Sequence, residues 1–343
     1  MHWRAAKFQQ SHPRGIRCTL CPFGCVLGDG DVGRCNVRRR RGSELETATF
    51  ATSVRHIHPI ERKPFYHFLP GTRVLTLAAP GCTFRCTYCQ NYRISQFGRD
   101  RNADWTATSL GDSIDDIIHA ARAADAGIAF SYSEPILSSE LTLTLAPRAR
   151  RAGLPVVWKS NGFVTPEAAE ELAGAIDAVN VDLKTVDDDA HRQLTGAPVH
   201  PVLAAIRTWA KRGVWIELST PLIPGFNTSP ESLRAMATTI CSLTELGPDI
   251  PWHLVRFHPD YRLLHSPPTH PDLLRQARTI AADEGLRHVY VERALGECGR
   301  NTFCPECNAL VVRRDIWALK RQFLDAAACR QCKTPIAGRW NTP

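Results

Sequence analysis

The cysteines limit most sharply what this chain can fold into. Thirteen occur, and eleven fall in three tight groups: Cys18, Cys21, Cys25 and Cys35; Cys82, Cys86 and Cys89; and Cys304, Cys307, Cys329 and Cys332. Only Cys241 and Cys298 stand apart. In a small secreted chain so many thiols would form disulfides. This chain has 343 residues and opens Met1-His-Trp-Arg-Ala-Ala-Lys, without the apolar stretch of a secretory signal. A cytoplasmic, reducing setting is therefore expected, where clustered thiols read as metal ligands. The longest apolar runs, such as 74–79, are too short to span a bilayer, so no membrane association is expected.

The groups divide the chain into three expected parts: an N-terminal four-cysteine metal module over 14–45, a large domain over 70–295, and a zinc-ribbon-like module over 300–343. In the middle part, short apolar runs at 74–79, 128–132, 155–159, 178–183, 214–219, 252–257 and 288–292 read as strands. Amphipathic stretches near 110–125, 138–152, 166–174, 199–212, 230–244 and 271–284 read as the helices between them. This alternation predicts an α/β fold with a parallel sheet, a partial (β/α)6 TIM-like barrel carrying small Cys-rich modules at both ends. A doubly wound open sheet is the alternative.

In a barrel the site lies at the C-terminal ends of the strands. Polar residues gather there: Ser131-Tyr132-Ser133-Glu134, Lys159-Ser160-Asn161, Asn180-Val181-Asp182-Leu183-Lys184, and Arg256-Phe257-His258 running on to Tyr261. Period-2 alternation sets Asn180, Asp182 and Lys184 on one face. A salt-bridged floor is the structural alternative to a site. Lys and Arg exceed Asp and Glu by 42 to 34, a formal charge of +8. The densest basic run, Arg38–Arg41, reads as a phosphate-binding patch or a solvated linker edge, so a nucleic-acid partner is permitted but not favoured.

Gly81-Cys82-Thr-Phe-Arg-Cys86-Thr-Tyr-Cys89 has the spacing C-x3-C-x2-C directly after the first strand of the large domain. A [4Fe–4S] cluster takes four thiolates, and three leave one iron open for a chelating ligand such as S-adenosylmethionine (SAM). A fourth ligand, from His67 or a distant thiol, would instead make a structural zinc site.

This motif on this loop resembles the signature of the radical SAM superfamily. The resemblance implies a partial (β/α)6 barrel and reductive cleavage of SAM to a 5′-deoxyadenosyl radical, which abstracts hydrogen from a substrate. It implies that Ser133-Glu134-Pro135 stands where the superfamily contacts the SAM amino group, without the two usual glycines. Ser160-Asn161-Gly162 falls near the SAM carboxylate and ribose, and Asp182-Leu-Lys184 matches a DLK segment that holds SAM in the activase-like branch. A narrower likeness rests on Cys18-Thr-Leu-Cys21-Pro, Gly33-Arg-Cys35-Asn-Val-Arg38, Pro59-Ile-Glu-Arg-Lys-Pro64, Arg256-Phe-His-Pro-Asp-Tyr261 and Cys304-Pro-Glu-Cys307. These segments resemble the AmmeMemoRadiSam system radical SAM enzymes, relatives of pyruvate formate-lyase activating enzymes. Memo-like and AMME-like proteins are the partners this likeness implies, beside a flavodoxin- or ferredoxin-type reductant. The chain departs from that family at Val291-Glu292-Arg293-Ala294, where a Gly-Asn is usual.

Cys304/Cys307 and Cys329/Cys332 form two CxxC pairs suited to structural zinc, with a rubredoxin-like iron as the alternative. Cys18, Cys21, Cys25 and Cys35 suit zinc or an auxiliary [4Fe–4S] cluster. Substrate or proton contacts are expected from His253, His258 and Tyr261, unless His253 only packs its strand. The substrate is not legible. Activation of a glycyl radical enzyme is a second reading, and a non-catalytic metal-cluster protein binding nucleic acid is a third.

Overall fold

A computed structural model describes residues 3–50, 52, 55–101, 113–291 and 293–340. The start of the helix expected near 110 and Glu292 at the end of the last expected strand lie outside the described residues.

The centre is an eight-stranded sheet of β1 (His56–Pro59), β2 (Arg73–Leu77), β3 (Ala126–Phe130), β4 (Val156–Ser160), β5 (Ala178–Asp182), β6 (Trp215–Leu222), β7 (Trp252–Arg256) and β8 (Val289–Tyr290). Each strand pairs with the next in sequence, β1 antiparallel to β2 and all others parallel. Between them run α1 (Ile114–Ala123), α2 (Ser139–Arg151), α3 (Pro166–Ala173), α4 (Asp188–Thr195), α5 (His200–Lys211), α6 (Pro230–Cys241) and α7 (Pro271–Asp283). Several helix starts are written locally. Ser113, Thr165, Asp187 and Ser229 each accept an amide hydrogen bond from the first turn, and Pro166 and Pro230 follow their caps.

Strand order decides between the two expected sheets. Strands added one after another on the same side, with crossovers of constant hand, put every helix on one face. Accordingly Leu75, Ile128, Phe130, Val156, Trp158, Val179, Val181, Ile216 and Leu218 share one core with Leu145, Leu172, Ile206 and Leu233 of the helices. The order never reverses, so the sheet is not doubly wound. The α/β class and one-sided helix layer are as expected, but β1 and β8 are the two edges and are not paired with each other among the described residues.

The alternate strand residues, Val74, Ala129, Val157, Ala178 and Trp215, face away from the helices. They pack on Ile60, Phe65, Phe68 and Leu69, so residues 59–70 cover the inner face. The antiparallel strand β1 and the short helix α4 were not anticipated. Both are too short to carry a clear periodicity.

Two smaller units flank the sheet. In the first, strands Gln9–His12, Gly15–Cys18 and Val26–Leu27 pair with one another, as do Arg4–Ala5, Glu44–Thr47 and Arg38–Arg41. The Arg38–Arg41 run is therefore a strand of this unit and not a linker, buried at Arg38 and exposed at Arg41. Arg38 is buried 2.8 Å from Glu140 of α2, and Arg39 pairs with Glu46 at 2.7 Å. In the second, Thr302–Phe303, Leu310–Arg314 and Leu319–Gln322 form an antiparallel sheet beside the hairpin Leu324–Asp325/Ala328–Cys329. Buried Arg314 from this unit donates to the Tyr66 carbonyl at 2.6 Å, docking it on the inner-face cover.

Candidate functional site

At the C-terminal ends of the strands lies a cavity of about 380 Å³, lined by Cys82, Cys86 and Cys89 together with Ser133, Glu134, Asn161, Asp182, Lys184 and His258. A larger cavity, about 660 Å³, opens at the opposite ends of the strands, between residues such as Val156, Asp177 and Val214 and the segment around Arg339. Its lining is mostly apolar, with no thiol and a single carboxylate, Asp177, so the first is the candidate site.

The thiol loop is fixed by its backbone. Gly81 has φ +92, and a Cβ there would stand 3.0 Å from the Cys35 carbonyl oxygen. Glycine is thus required for the close approach. Arg99 donates to the carbonyls of Cys82 at 2.8 Å and Phe84 at 2.9 Å, pinning the loop from outside. Donors also reach the sulfurs. The Phe84 amide stands 3.4 Å from Cys82 Sγ, Asn161 Nδ2 3.6 Å from the same atom, and Ser95 Oγ 3.1 Å from Cys89 Sγ. Burial raises the Cys82 and Cys86 thiols, Cys86 to about 12. In the Cys86 case the Lys184 ammonium acts in the opposite sense.

Opposite the thiols sits Glu134, buried at the end of β3 and N-cap of the turn Pro135–Ser138. Its carboxylate accepts Ser160 Oγ at 2.6 Å and the amides of Ile136 at 3.0 Å and Asn161 at 2.9 Å. Burial lifts it from 4.5 to about 7 despite those three donors. Ser160 is spent on Glu134 and on the Gly162 amide, so it positions Glu134 and does not line the cavity. Asn161 joins the two sides, holding Thr83 Oγ1 at 2.9 Å.

Asp182 ends β5 between two ammonium groups, Lys159 at 2.6 Å and Lys184 at 3.1 Å. Burial alone would raise its carboxyl, but the two lysines hold it below the usual carboxylate range. Asp182 raises Lys184 in return, against the effect of burial. One rung deeper, Asn180 and Ser219 hydrogen-bond at 2.7 Å, and Asn180 donates to the Pro64 carbonyl. The strand face therefore holds both expected alternatives: a hydrogen-bonded floor below and the cavity above.

Of the three expected substrate contacts, His258 lines the cavity. Tyr261 lies outside the lining, with its hydroxyl donating to Asp100 at 2.8 Å and its ring stacked on Tyr92 at 4.6 Å. His253 is fully buried in the floor, 2.7 Å from Glu217 and edge-on to Tyr66, where it packs its strand. His67, considered as a fourth metal ligand, is likewise buried, against Ala337, Tyr290 and Trp340, and away from the thiols.

Two lysines also line the cavity that were not singled out as site residues. Lys63 is buried with its ammonium 4.2 Å above the Tyr132 ring, and desolvation, with Arg62 nearby, lowers it from 10.5 to about 7. Lys159 faces inward by the same alternation that placed Asp182. Its face was legible, whereas Lys63 arrives on a covering segment whose path no local pattern records.

At the other end of the chain, Cys304, Cys307, Cys329 and Cys332 bring all four sulfurs within 4.8 Å of one another. No other group of three or more metal-ligating side chains does so among the described residues. No helix among the described residues is long and apolar enough to cross a membrane.

Known proteins bear on this arrangement. Residues 77–237, from β2 through most of α6, match the Radical SAM superfamily. The chain is 35% identical over 320 residues to the uncharacterized protein MJ0808 of Methanocaldococcus jannaschii, covering 93% of both chains. It is 27% identical to the pyruvate formate-lyase 1-activating enzyme of Escherichia coli over 169 residues, 49% of this chain and 68% of that enzyme. Against Streptococcus suis SuiB bound to S-adenosylmethionine the TM-score is 0.48, at 12% identity over 68% of this chain and 52% of that one. Membership of the matched family implies an enzyme that uses a [4Fe–4S] cluster and SAM. The match begins at Leu77, the last residue of β2, and takes in the three thiols, Glu134, Asn161 and Asp182–Lys184: this chain belongs to the radical SAM superfamily.

Proposed function

We propose that the chain binds a [4Fe–4S] cluster on Cys82, Cys86 and Cys89 and cleaves SAM there to act on a C–H bond of a separate substrate. The observation that carries this reading is the facing of three buried thiols by a buried carboxylate across one cavity. The donor set fits the group. Three thiols line the cavity with hydrogen-bond donors aimed at two of the sulfurs, and His258 is the one imidazole in the lining. When bound, the cluster and SAM together supply reductive C–S cleavage, yielding methionine and a radical that abstracts hydrogen.

The chain's own residues supply placement. Glu134 is suited to accept the amino group of SAM, and Ser160 and Asn161 fix its carboxylate plane. Lys184 and Lys159, oriented by Asp182, give the cavity fixed positive charge for a carboxylate. Ser133 offers a further hydroxyl at the rim. Phe84, Tyr88 and Phe257 make apolar walls that keep water from a reactive intermediate. His258 is the substrate-side group within the lining. The electron comes from an external flavodoxin- or ferredoxin-type protein. The C-terminal quartet fits a structural zinc. Its sulfurs stand 3.5 Å apart for Cys304 and Cys332, and 3.7 Å for Cys307 and Cys329. Tetrahedral Zn–S bonds of about 2.3 Å place sulfurs about 3.8 Å apart.

The test is anaerobic reconstitution with iron and sulfide, addition of dithionite and SAM, and detection of 5′-deoxyadenosine by mass spectrometry, with Cys86→Ala alongside. Product in the wild type and none in the variant is expected; equal product in both would overturn the reading. A second reading, activation of a glycyl radical enzyme, is favoured by the similarity to an activating enzyme. It predicts a glycyl radical signal by electron paramagnetic resonance in a partner protein. Of the basic run that permits a nucleic-acid reading, Arg38 and Arg39 are consumed in ion pairs. Memo-like and AMME-like partners are tested by co-purification with the tagged chain.

A further inference from the structure

We infer that Cys18, Cys21, Cys25 and Cys35 hold a second [4Fe–4S] cluster, not a zinc ion, set directly behind the Cys82 loop. The fold brings the four together in a defined way. Strands Gly15–Cys18 and Val26–Leu27 pair so that the Cys18 amide donates to the Cys25 carbonyl at 2.9 Å, setting these two side by side. Cys21 sits at the tip between them, where the Gly24 amide turns back to its carbonyl at 3.0 Å. A second turn, closed by the Asn36 amide on Gly33 at 2.8 Å, presents Cys35 from the other side. All four thiols line one small enclosed cavity, closed by the apolar side chains of Phe23 and Leu137.

Spacing separates the metal classes. A single tetrahedral ion requires its four sulfurs about 3.8 Å apart; the C-terminal quartet has two pairs at 3.5 and 3.7 Å and all four sulfurs within 4.8 Å of one another. The N-terminal quartet does not draw its sulfurs within 4.8 Å, although they share a cavity in the same chain. A cubane offers each thiolate a different iron corner, so its ligands stand farther apart than those of one ion. The Arg34 amide points at Cys25 Sγ at 3.5 Å, a donor suited to a cluster thiolate. The site abuts the first centre: Thr83, next to Cys82, lines the cavity, and the Cys35 carbonyl is the atom that excludes a Cβ at Gly81.

The decisive experiment removes the first cluster and asks what remains. The full-length triple variant C82A/C86A/C89A is reconstituted anaerobically with iron and sulfide. Iron, sulfide and zinc are then counted per chain, and the dithionite-reduced protein is examined by electron paramagnetic resonance. Wild type should hold about eight irons and the triple variant about four irons and four sulfides, with a reduced-cluster signal. The variant C18S/C21S/C25S/C35S should hold about four irons, lost from this site alone. If the triple variant binds no iron, or a single iron without sulfide, or a second zinc beside the C-terminal one, the inference is overturned. Loss of the first cluster leaves this readout intact, so failure here and failure of the SAM-cleavage reading are separately visible.

Discussion

Glu217 Oε2 meets His253 Nε2 at 2.7 Å with both side chains fully excluded from solvent. The same carboxylate accepts the amides of Tyr66 and His67 and the Trp215 indole, at 2.8 to 3.2 Å. A single side chain of β6 thus clamps the covering segment 59–70 onto the inner face. That segment carries Lys63 to the cavity.

Truncation of this clamp should therefore reach well beyond β6. Glu217→Ala strands two backbone donors, an indole and an imidazole in a dry interior. A loss of about 3–5 kcal/mol of stability is expected. The shift of the denaturant midpoint measures it, and a loss below about 1 kcal/mol would show that water or another group replaces the carboxylate. His253→Gln should cost stability yet leave the rate of 5′-deoxyadenosine formation within about threefold, because His253 does not reach the cavity.

Glu134 makes the stability of the apoprotein depend on pH in an unusual sense. Burial lifts its carboxyl from 4.5 to about 7. Between those values the folded chain binds more protons at this group than the unfolded chain does. Stability should fall as pH rises through that window, by up to about 3 kcal/mol, and Glu134→Gln should flatten the slope. Denaturation of apoprotein at a series of pH values reads this directly; parallel slopes in both proteins would refute the assignment.

Gly81→Ala tests the contact between the thiol loop and the N-terminal unit. The new methyl meets the Cys35 carbonyl oxygen and Val37 Cγ1, both at 3.0 Å, on a backbone at φ +92. A cost of about 1–3 kcal/mol is expected, with iron content falling as the loop is displaced. Unchanged iron and unchanged thermal midpoint would mean that the two units part easily.

The C-terminal quartet should purify with about one zinc per chain, bound by four sulfurs at about 2.3 Å in X-ray absorption. Cys329→Ser should release it and loosen the unit around Trp340, raising susceptibility to proteolysis there while residues 56–290 stay folded. Stoichiometric iron in place of zinc would point to a rubredoxin-like centre.

What the sequence determined by itself is what repeats locally. Short apolar runs marked the seven parallel strands, and amphipathic stretches marked the helices between them, α4 excepted. Thiol spacing marked three cysteine groups, and Glu134, Asn161, Asp182 and Lys184 stood out as polar residues at strand ends. Each signal is short-range, set by backbone geometry over two to ten residues. Tertiary structure alone decided the rest. His253 and His258 lie five residues apart, yet one is sealed under residues 59–70 and the other lines the cavity, because depth depends on a cover from far along the chain. Lys63 entered the site, and Arg38 left the surface for Glu140, through equally distant packing. The C-terminal quartet was legible as two CxxC pairs, but only the fold, by closing a chain segment of some twenty residues, brings its four sulfurs within 4.8 Å of one another.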